Sequence, residues 1–187
     1  MTLALFISLT VNFVLKDTFY MMQHFADAYD LFLIYLGGNS DWPTRAFVRR
    51  LECDPNIESI LYLGDMDLGG LIGLASLKYS PDARAPASDK EAFRLQTNKL
   101  KWFGVRPSHI NRYNLKTSPM SDAEADQIQA ILDDNDHTLF LNLNANQIAA
   151  YRAELTNMMT NRLTAKNASL TEEILLGDLF YLINHSI

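Results

Sequence analysis

Short apolar runs separated by polar, glycine-rich breaks fill the first half of the chain. Met1 to Val14 is almost continuously apolar and predicts a buried strand. Leu31 to Leu36 and Ser59 to Leu63 have the same chemistry, with turn formers at their borders. Between these runs the apolar spacing changes to the helical period. Thr18 to Tyr29 reads as an amphipathic helix capped by Asp17 or Thr18. Asp41 caps a second helix that tolerates Pro43 in its first turn and runs to about Leu51, with Arg45 and Arg49 on one face. From Gly70 onward, Leu71, Ile72, Leu74, Ala75 and Leu77 make a third helix, apolar enough to pack on a sheet. Strand and helix alternating in this way predict an α/β fold: a mostly parallel sheet flanked by helices.

The second half is looser. Pro81 to Ser88 reads as a loop, Lys90 to Leu100 as a short helix, Lys101 to Val105 as one more strand, and Arg106, Pro107 and Ser108 as the start of a turn. Ser121 and Glu124 form a capping box for a helix to about Leu132. Asp133 to Asn144 is acidic and polar around a short apolar centre, Leu139 to Leu141. Asn144 caps a helix to about Met159, and a last helix is expected over Glu172 to Asn184. A single domain over 1–187 is expected, its α/β core at about 1–116 and a helical C-terminal part at about 117–187; a chain of 187 residues can bury a real core.

Composition narrows the class. The single Cys53 excludes a disulfide framework and fits a reducing compartment. The apolar N-terminal run lacks a basic n-region and a small-x-small cleavage site. Thr2, Ser8, Thr10 and Asn12 interrupt it, and it is too short to span a bilayer, so no membrane partner is expected. The net charge of −6 argues against nucleic acid, yet its distribution argues for it. Ser76 to Lys116 carries nine Lys and Arg against three acids, a local +6 that leaves −12 on the remainder. A basic middle on an acidic chain suits a polyanion-facing surface, unless those charges scatter over several faces. A P-loop, a Cys/His zinc pattern and a Gly-x-Ser-x-Gly elbow are all missing from the sequence. His24, His109, His137 and His185 share no metal-ligand spacing and read as surface or satisfied histidines.

The candidate chemistry sits where the third strand stops. Gly64, Asp65, Met66, Asp67, Leu68, Gly69 and Gly70 form an acidic, glycine-punctuated turn between strand and helix. Open α/β sheets place ligands at such carboxyl ends. In a tight turn both carboxylates reach one spot, and two hard oxygen donors suit Mg²⁺ with several retained waters. A solvated turn is the plain alternative, but no basic residue lies between Glu58 and Lys78 to neutralise the pair. A phosphotransferase aspartate would want a small hydroxyl residue soon after Asp67, and Leu68, Gly69 and Gly70 follow instead.

Taken in order, these segments resemble the Toprim part of the topoisomerase VI A subunit with its eukaryotic relative, the meiotic recombination protein that makes programmed double-strand breaks. The family loop Thr-Gly-Lys-Gly-Tyr-Pro-Asp-x-x-Thr-Arg is similar to Tyr35 through Arg45, with Gly38, Asp41, Thr44 and Arg45 matching and Gly37 at the lysine position. The family Asp-x-Asp-Pro-x-Gly corresponds to Asp65, Met66, Asp67, Leu68, Gly69 and Gly70, without the proline. Lys78 and Tyr79, the run Trp102 to Ser108, and Arg112, Tyr113 and Asn114 follow in family order. The start of the helix at Met120 and Ser121, and Glu154 with Leu155, match more weakly. The resemblance covers about residues 10 to 170.

It implies a Rossmann-like Toprim domain in which Mg²⁺ sits on an acidic cluster while a tyrosine of the partner protomer attacks a DNA phosphodiester. Asp65 and Asp67 would be metal ligands. Lys16, Arg45, Arg49, Lys78, Lys101 and Arg106 would touch DNA phosphates, with Arg50, Lys99 and Arg112 as further candidates. Implied partners are double-stranded DNA, a second copy and a topoisomerase VI B-like subunit, on chromosomes in the nucleus. Two departures qualify this. Leu15 stands at the family's glutamate position, which weakens the metal site; Asp17 is a candidate substitute. None of the tyrosines lies in the winged-helix motif that carries the attacking tyrosine, so the chain alone is not expected to cleave DNA by the family's chemistry. A degenerate scaffold for dimerisation or partner docking, and a nuclease working with metal and water alone, are the competing expectations.

Overall fold

The computed structural model describes residues 9–13, 20, 22–23, 26, 31–35, 41–55, 57, 60–79, 95–135, 137–140 and 143–166. Among the described residues four parallel strands make the central sheet: β1 (Leu9–Phe13), β2 (Leu31–Tyr35), β3 (Ile60–Leu63) and β4 (Leu100–Trp102), in the order β2-β1-β3-β4. Phe13 lies opposite both Tyr35 and Leu63, and Tyr62 opposite Trp102, so all four strands finish along one edge. Every residue of β3 is buried, which is why its sequence is a continuous apolar run without alternation.

Helix α1 (Trp42–Glu52) starts as its sequence predicts. The Asp41 carboxylate accepts the Thr44 N–H at 2.9 Å, and these hydrogen bonds from Thr44 hold the carboxyl pKa down. The far end of α1 turns a carboxylate inward. Glu52 is buried, pairs with Arg49, and accepts the Lys99 N–H at 2.9 Å. The Lys99 ammonium in turn donates to the Ile57 carbonyl at 2.7 Å. Helix α2 (Leu68–Tyr79) buries Leu71, Leu74 and Leu77 in the same core as Leu61, Leu63 and Trp102. Of the expected helix over 18–29, Tyr20, Met22, Gln23 and Ala26 are helical and Met22 is fully buried; its other residues lie outside the described ones. The predicted loop over 81–88 and helix over 172–184 also lie outside them.

Three expectations change. The stretch from Gln96 to Leu100 is not α-helical, because its amides bond outward: Thr97 N–H to the Lys78 carbonyl at 3.0 Å and Lys99 N–H to Glu52. Arg106 to Ser108 opens a helix, α3 (Pro107–Tyr113), with Pro107 in its first turn and Asn114 closing it at φ 49°. Glu154 accepts the Ser108 N–H at 3.1 Å and its hydroxyl, supplying negative charge at the helix start. The C-terminal part is not purely helical either. Strand β5 (Thr117–Pro119) pairs antiparallel with β6 (Leu163–Ala165). Between them lie α4 (Asp122–Asp133), a 3₁₀ turn (Thr138–Phe140) and α5 (Ala145–Asn161). Both α4 and α5 carry the capping boxes their sequences promise, on Ser121/Glu124 and Asn144/Gln147. Arg152 of α5 donates to the Leu132 carbonyl at 2.6 Å, satisfying the end of α4, and stands 4.6 Å from the Phe140 ring. No described helix is long and apolar enough to cross a membrane.

Replacing Glu52 by Ala strips acceptors from the Lys99 amide and from Arg49 at a buried position. A loss of about 1–3 kcal/mol in urea unfolding is expected; an unchanged midpoint would show that Glu52 does not tie α1 to the approach of β4.

Candidate metal and nucleic-acid site at the exit edge of the sheet

At the end of β3 the Tyr62 carbonyl accepts both the Phe103 N–H at 3.0 Å and the Gly104 N–H at 3.1 Å, pinning the exit of β4 beside that of β3. The backbones then approach so closely that side chains would not fit. A Cβ on Gly104 would stand 2.2 Å from the Gly64 carbonyl oxygen, and one on Gly70 would stand 2.1 Å from the Asp65 carbonyl oxygen. Asp67 serves as N-cap of α2: its Oδ1 accepts the Gly70 N–H at 2.8 Å and its carbonyl the Leu71 N–H at 3.1 Å.

Between the two aspartates, Met66 exchanges both backbone hydrogen bonds with Ala165, at 2.8 and 3.1 Å. Met66 and Ala165 are both buried in the core. Extended backbone alternates its side chains, so Asp65 and Asp67 are directed to the opposite side. In an antiparallel register the residue after Ala165 faces the residue before Met66, at a non-hydrogen-bonded position where side chains come closest. That residue is Lys166. Its ammonium lies 3.4 Å from Asp65 Oδ2 and in direct contact with Asp67 Oδ2. The Asp65 and Asp67 side chains are 6% and 13% exposed, whereas that of Lys166 is 58% exposed. Burial opposes the charge of Lys166, but the hydrogen bond to Asp67 and the two carboxylate charges outweigh it and raise its pKa. Burial, and then the same two carboxylates, push the Tyr62 phenol upward.

Asp65 and Asp67 thus meet at one ammonium, and the cation that offsets part of their charge comes not from the neighbouring sequence but from a lysine 99 residues beyond Asp67. Their hard oxygens fit a divalent cation chemically, but Lys166 is already on those oxygens. Among the described residues no three His, Cys, Asp or Glu side chains gather into a metal cluster. Leu15, Lys16 and Asp17 lie outside the described residues. Sequence reading missed Lys166 because the bridge that aims it is a single residue pair with no pattern of its own; the only local hint is the alternation Leu163, Thr164, Ala165, Lys166.

The expected phosphate contacts divide. Arg45 is buried, and Arg49 is engaged by Glu52. Lys78 is 3% exposed with its ammonium 5.4 Å from the Tyr151 ring centroid; burial and the charge of Lys101 bring its pKa down to about 8. Arg106 is buried and bonds His109 Nε2 at 3.0 Å. In this conformation Arg45, Lys78 and Arg106 serve the interior. Lys99 and Lys101 are half-buried, while Arg50, Arg112 and Lys116 face solvent.

Comparison with known proteins identifies the family of the domain that carries these residues. The family profile for the Toprim domain of topoisomerase 6 A subunits and Spo11 matches residues 13–176. The chain is 28% identical over 110 residues to the A subunit of type 2 DNA topoisomerase 6 from Haloarcula marismortui, a match that covers 59% of this chain and 28% of that protein. The corresponding proteins of Natronomonas pharaonis and Archaeoglobus fulgidus are 26% and 27% identical over 110 residues, again 59% of this chain and 28% and 29% of theirs. The matched stretch thus spans less than a third of these relatives.

Two outcomes follow from the geometry. Gly70→Ala forces a methyl onto the Asp65 carbonyl, so a loss of about 1–3 kcal/mol in thermal or urea unfolding is expected; wild-type stability would mean that the turn yields without cost. His109 is buried beside Arg106, and burial first, then the charges of Arg106 and Arg112, hold its pKa down to about 3 from 6.5. Between those values the unfolded chain takes up a proton that the folded chain refuses, so stability falls as pH drops below 6.5. Urea midpoints at pH 7 and pH 5 should differ in the wild type and converge in His109→Gln; equal slopes in both proteins would contradict this.

Proposed function

Because the chain belongs to the Toprim family of topoisomerase 6 A subunits and Spo11, we propose that it is the DNA-facing Toprim module of a topoisomerase VI A-like recombination protein that takes part in forming meiotic double-strand breaks. The single observation that carries this reading is the convergence of Asp65 and Asp67 at the carboxyl edge of the parallel sheet. The reaction is a tyrosyl transesterification, with the tyrosine supplied by a domain other than the Toprim fold. Asp65 and Asp67 are the residues that would hold Mg²⁺, which when bound draws charge from phosphate oxygens. The chain's own contribution is placement. The Met66 bridge fixes Asp65, and the capping bond to Gly70 fixes Asp67. Arg50, Arg112 and Lys116, with the half-buried Lys99 and Lys101, offer positive charge to a DNA backbone without reading sequence.

The partners in this reading are double-stranded DNA, a second copy of the chain and a topoisomerase VI B-like subunit, on chromosomes in the nucleus. Phe32, Tyr35, Trp42 and Phe47 are exposed along β2 and α1, with the Phe32 and Phe47 rings 6.4 Å apart, an apolar face that favours a protein partner. A second reading has an observation of its own. Lys166 on both carboxylates, with Leu15 at the family's glutamate position, favours a Toprim scaffold that docks partners without supporting cleavage.

Fluorescence anisotropy on two unrelated duplexes across a salt series separates the readings. The proposal expects equal affinity for both duplexes, a linear fall of log affinity with log salt, and a slope reduced by about one for each phosphate-contacting charge removed, as in Lys101→Glu or Lys116→Glu. Absent binding, or binding indifferent to salt, would leave the scaffold.

A further inference from the structure

We propose that Lys166 is the resident cation of the acidic pair: its ammonium stands in for a divalent ion on Asp65 and Asp67 and has to leave before one binds. The inference deepens the metal-site part of the proposed function and rests on it. The register that aims Lys166 at Asp65 is made by backbone atoms alone, through the paired hydrogen bonds of Met66 and Ala165. The backbone therefore aims the lysine stem at the carboxylates whenever β6 is in place. Both Asp67 oxygens are then engaged, Oδ1 by the Gly70 N–H and Oδ2 by Lys166. Asp65 Oδ2 faces the same ammonium at 3.4 Å.

Two carboxylates held this close, with little exposure, repel one another unless a cation lies between them. Here that cation is imported from the other end of the fold, on the side chain of the three most open to water. That asymmetry matters for exchange. The aspartates are locked by the bridge and the helix cap, whereas the lysine stem can swing into solvent without disturbing Ala165 or the core. The site is thus preformed for a cation and closed by one that can be displaced. Metal affinity is the intrinsic affinity multiplied by the fraction of molecules in which Lys166 has moved away, so the rarer that state, the weaker the binding. The same ammonium stabilises the metal-free chain, so removing it has opposite effects on the two properties.

The test is Mn²⁺ titration of the full 187-residue chain by calorimetry, with melting temperature read in parallel with and without the metal. Lys166→Met keeps the stem and removes the charge; it is expected to bind Mn²⁺ about tenfold or more tightly than wild type, and to melt lower without metal while recovering when Mn²⁺ is added. Lys166→Arg keeps the charge and should bind as weakly as wild type. Equal or weaker binding by Lys166→Met would overturn the proposal, as would Mn²⁺ binding to no variant. The latter result would leave salt-dependent DNA binding intact, so the two readings fail separately. Should Lys166→Met not fold, acylation of Lys166 in the wild-type chain gives the same answer. Mn²⁺ should accelerate its labelling as the ammonium is released; labelling unchanged by Mn²⁺ would overturn the proposal.

Discussion

A single antiparallel residue pair, Met66 with Ala165, joins the exit of the parallel sheet to the strand that follows the last described helix. Each residue donates its N–H to the other's carbonyl, and each buries its side chain in the core. Everything notable about the acidic turn follows from that exchange. With Met66 directed into the core, its flanking aspartates turn to the other side, where they remain largely covered, and the same parity brings Lys166 to them. Without the bridge, Asp65 and Asp67 would be two carboxylates on a glycine-rich turn. With it they form a fixed site in which one ammonium offsets one of the two negative charges.

The surroundings of the turn show what that fixity demands. Helix α2 begins so close to Asp65, and β4 ends so close to Gly64, that only hydrogen fits at positions 70 and 104. Asp67 serves two ends at once, capping α2 and facing Lys166. The carboxylate that presents negative charge outward is also the one that starts the helix packed behind it, so the site and the core are one construction.

Charge is less visible at the surface than the sequence suggests. The middle of the chain carries a local excess of positive charge, but part of it turns inward. Lys78 lies near Tyr151, and Arg106 bonds a histidine that burial keeps neutral. What remains outward, Arg50, Arg112 and Lys116 with parts of Lys99 and Lys101, is a thinner positive surface than the raw count implies. A contact with DNA built on it would position a backbone and would not select a sequence.

Much of this was legible in the residues, and the reasons differ by element. Strand β3 announces itself through a continuous apolar run, because a parallel strand covered on both faces needs no alternation. The starts of α1, α4 and α5 are written in side chains that bond their own third residue, a local chemistry independent of the fold. The acidic pair stands out because it interrupts an apolar strand. What escaped is what depends on distant partners. Strands β5 and β6 are three residues each and carry no period; α3 owes its start to Glu154, and the inward turn of Lys78 and Arg106 is set by packing. Lys166 escaped for the same reason.

The most direct measurement is a double-mutant cycle in urea unfolding between Lys166→Met and Asp67→Asn, in metal-free buffer. Asparagine still accepts the Gly70 N–H as an N-cap, so the cycle isolates the charge and leaves the helix start in place. The account predicts a favourable coupling of about 0.5–1 kcal/mol that shrinks with added salt. Additive effects, with no coupling at low salt, would contradict the claim that this lysine holds the acidic pair at the sheet's exit edge.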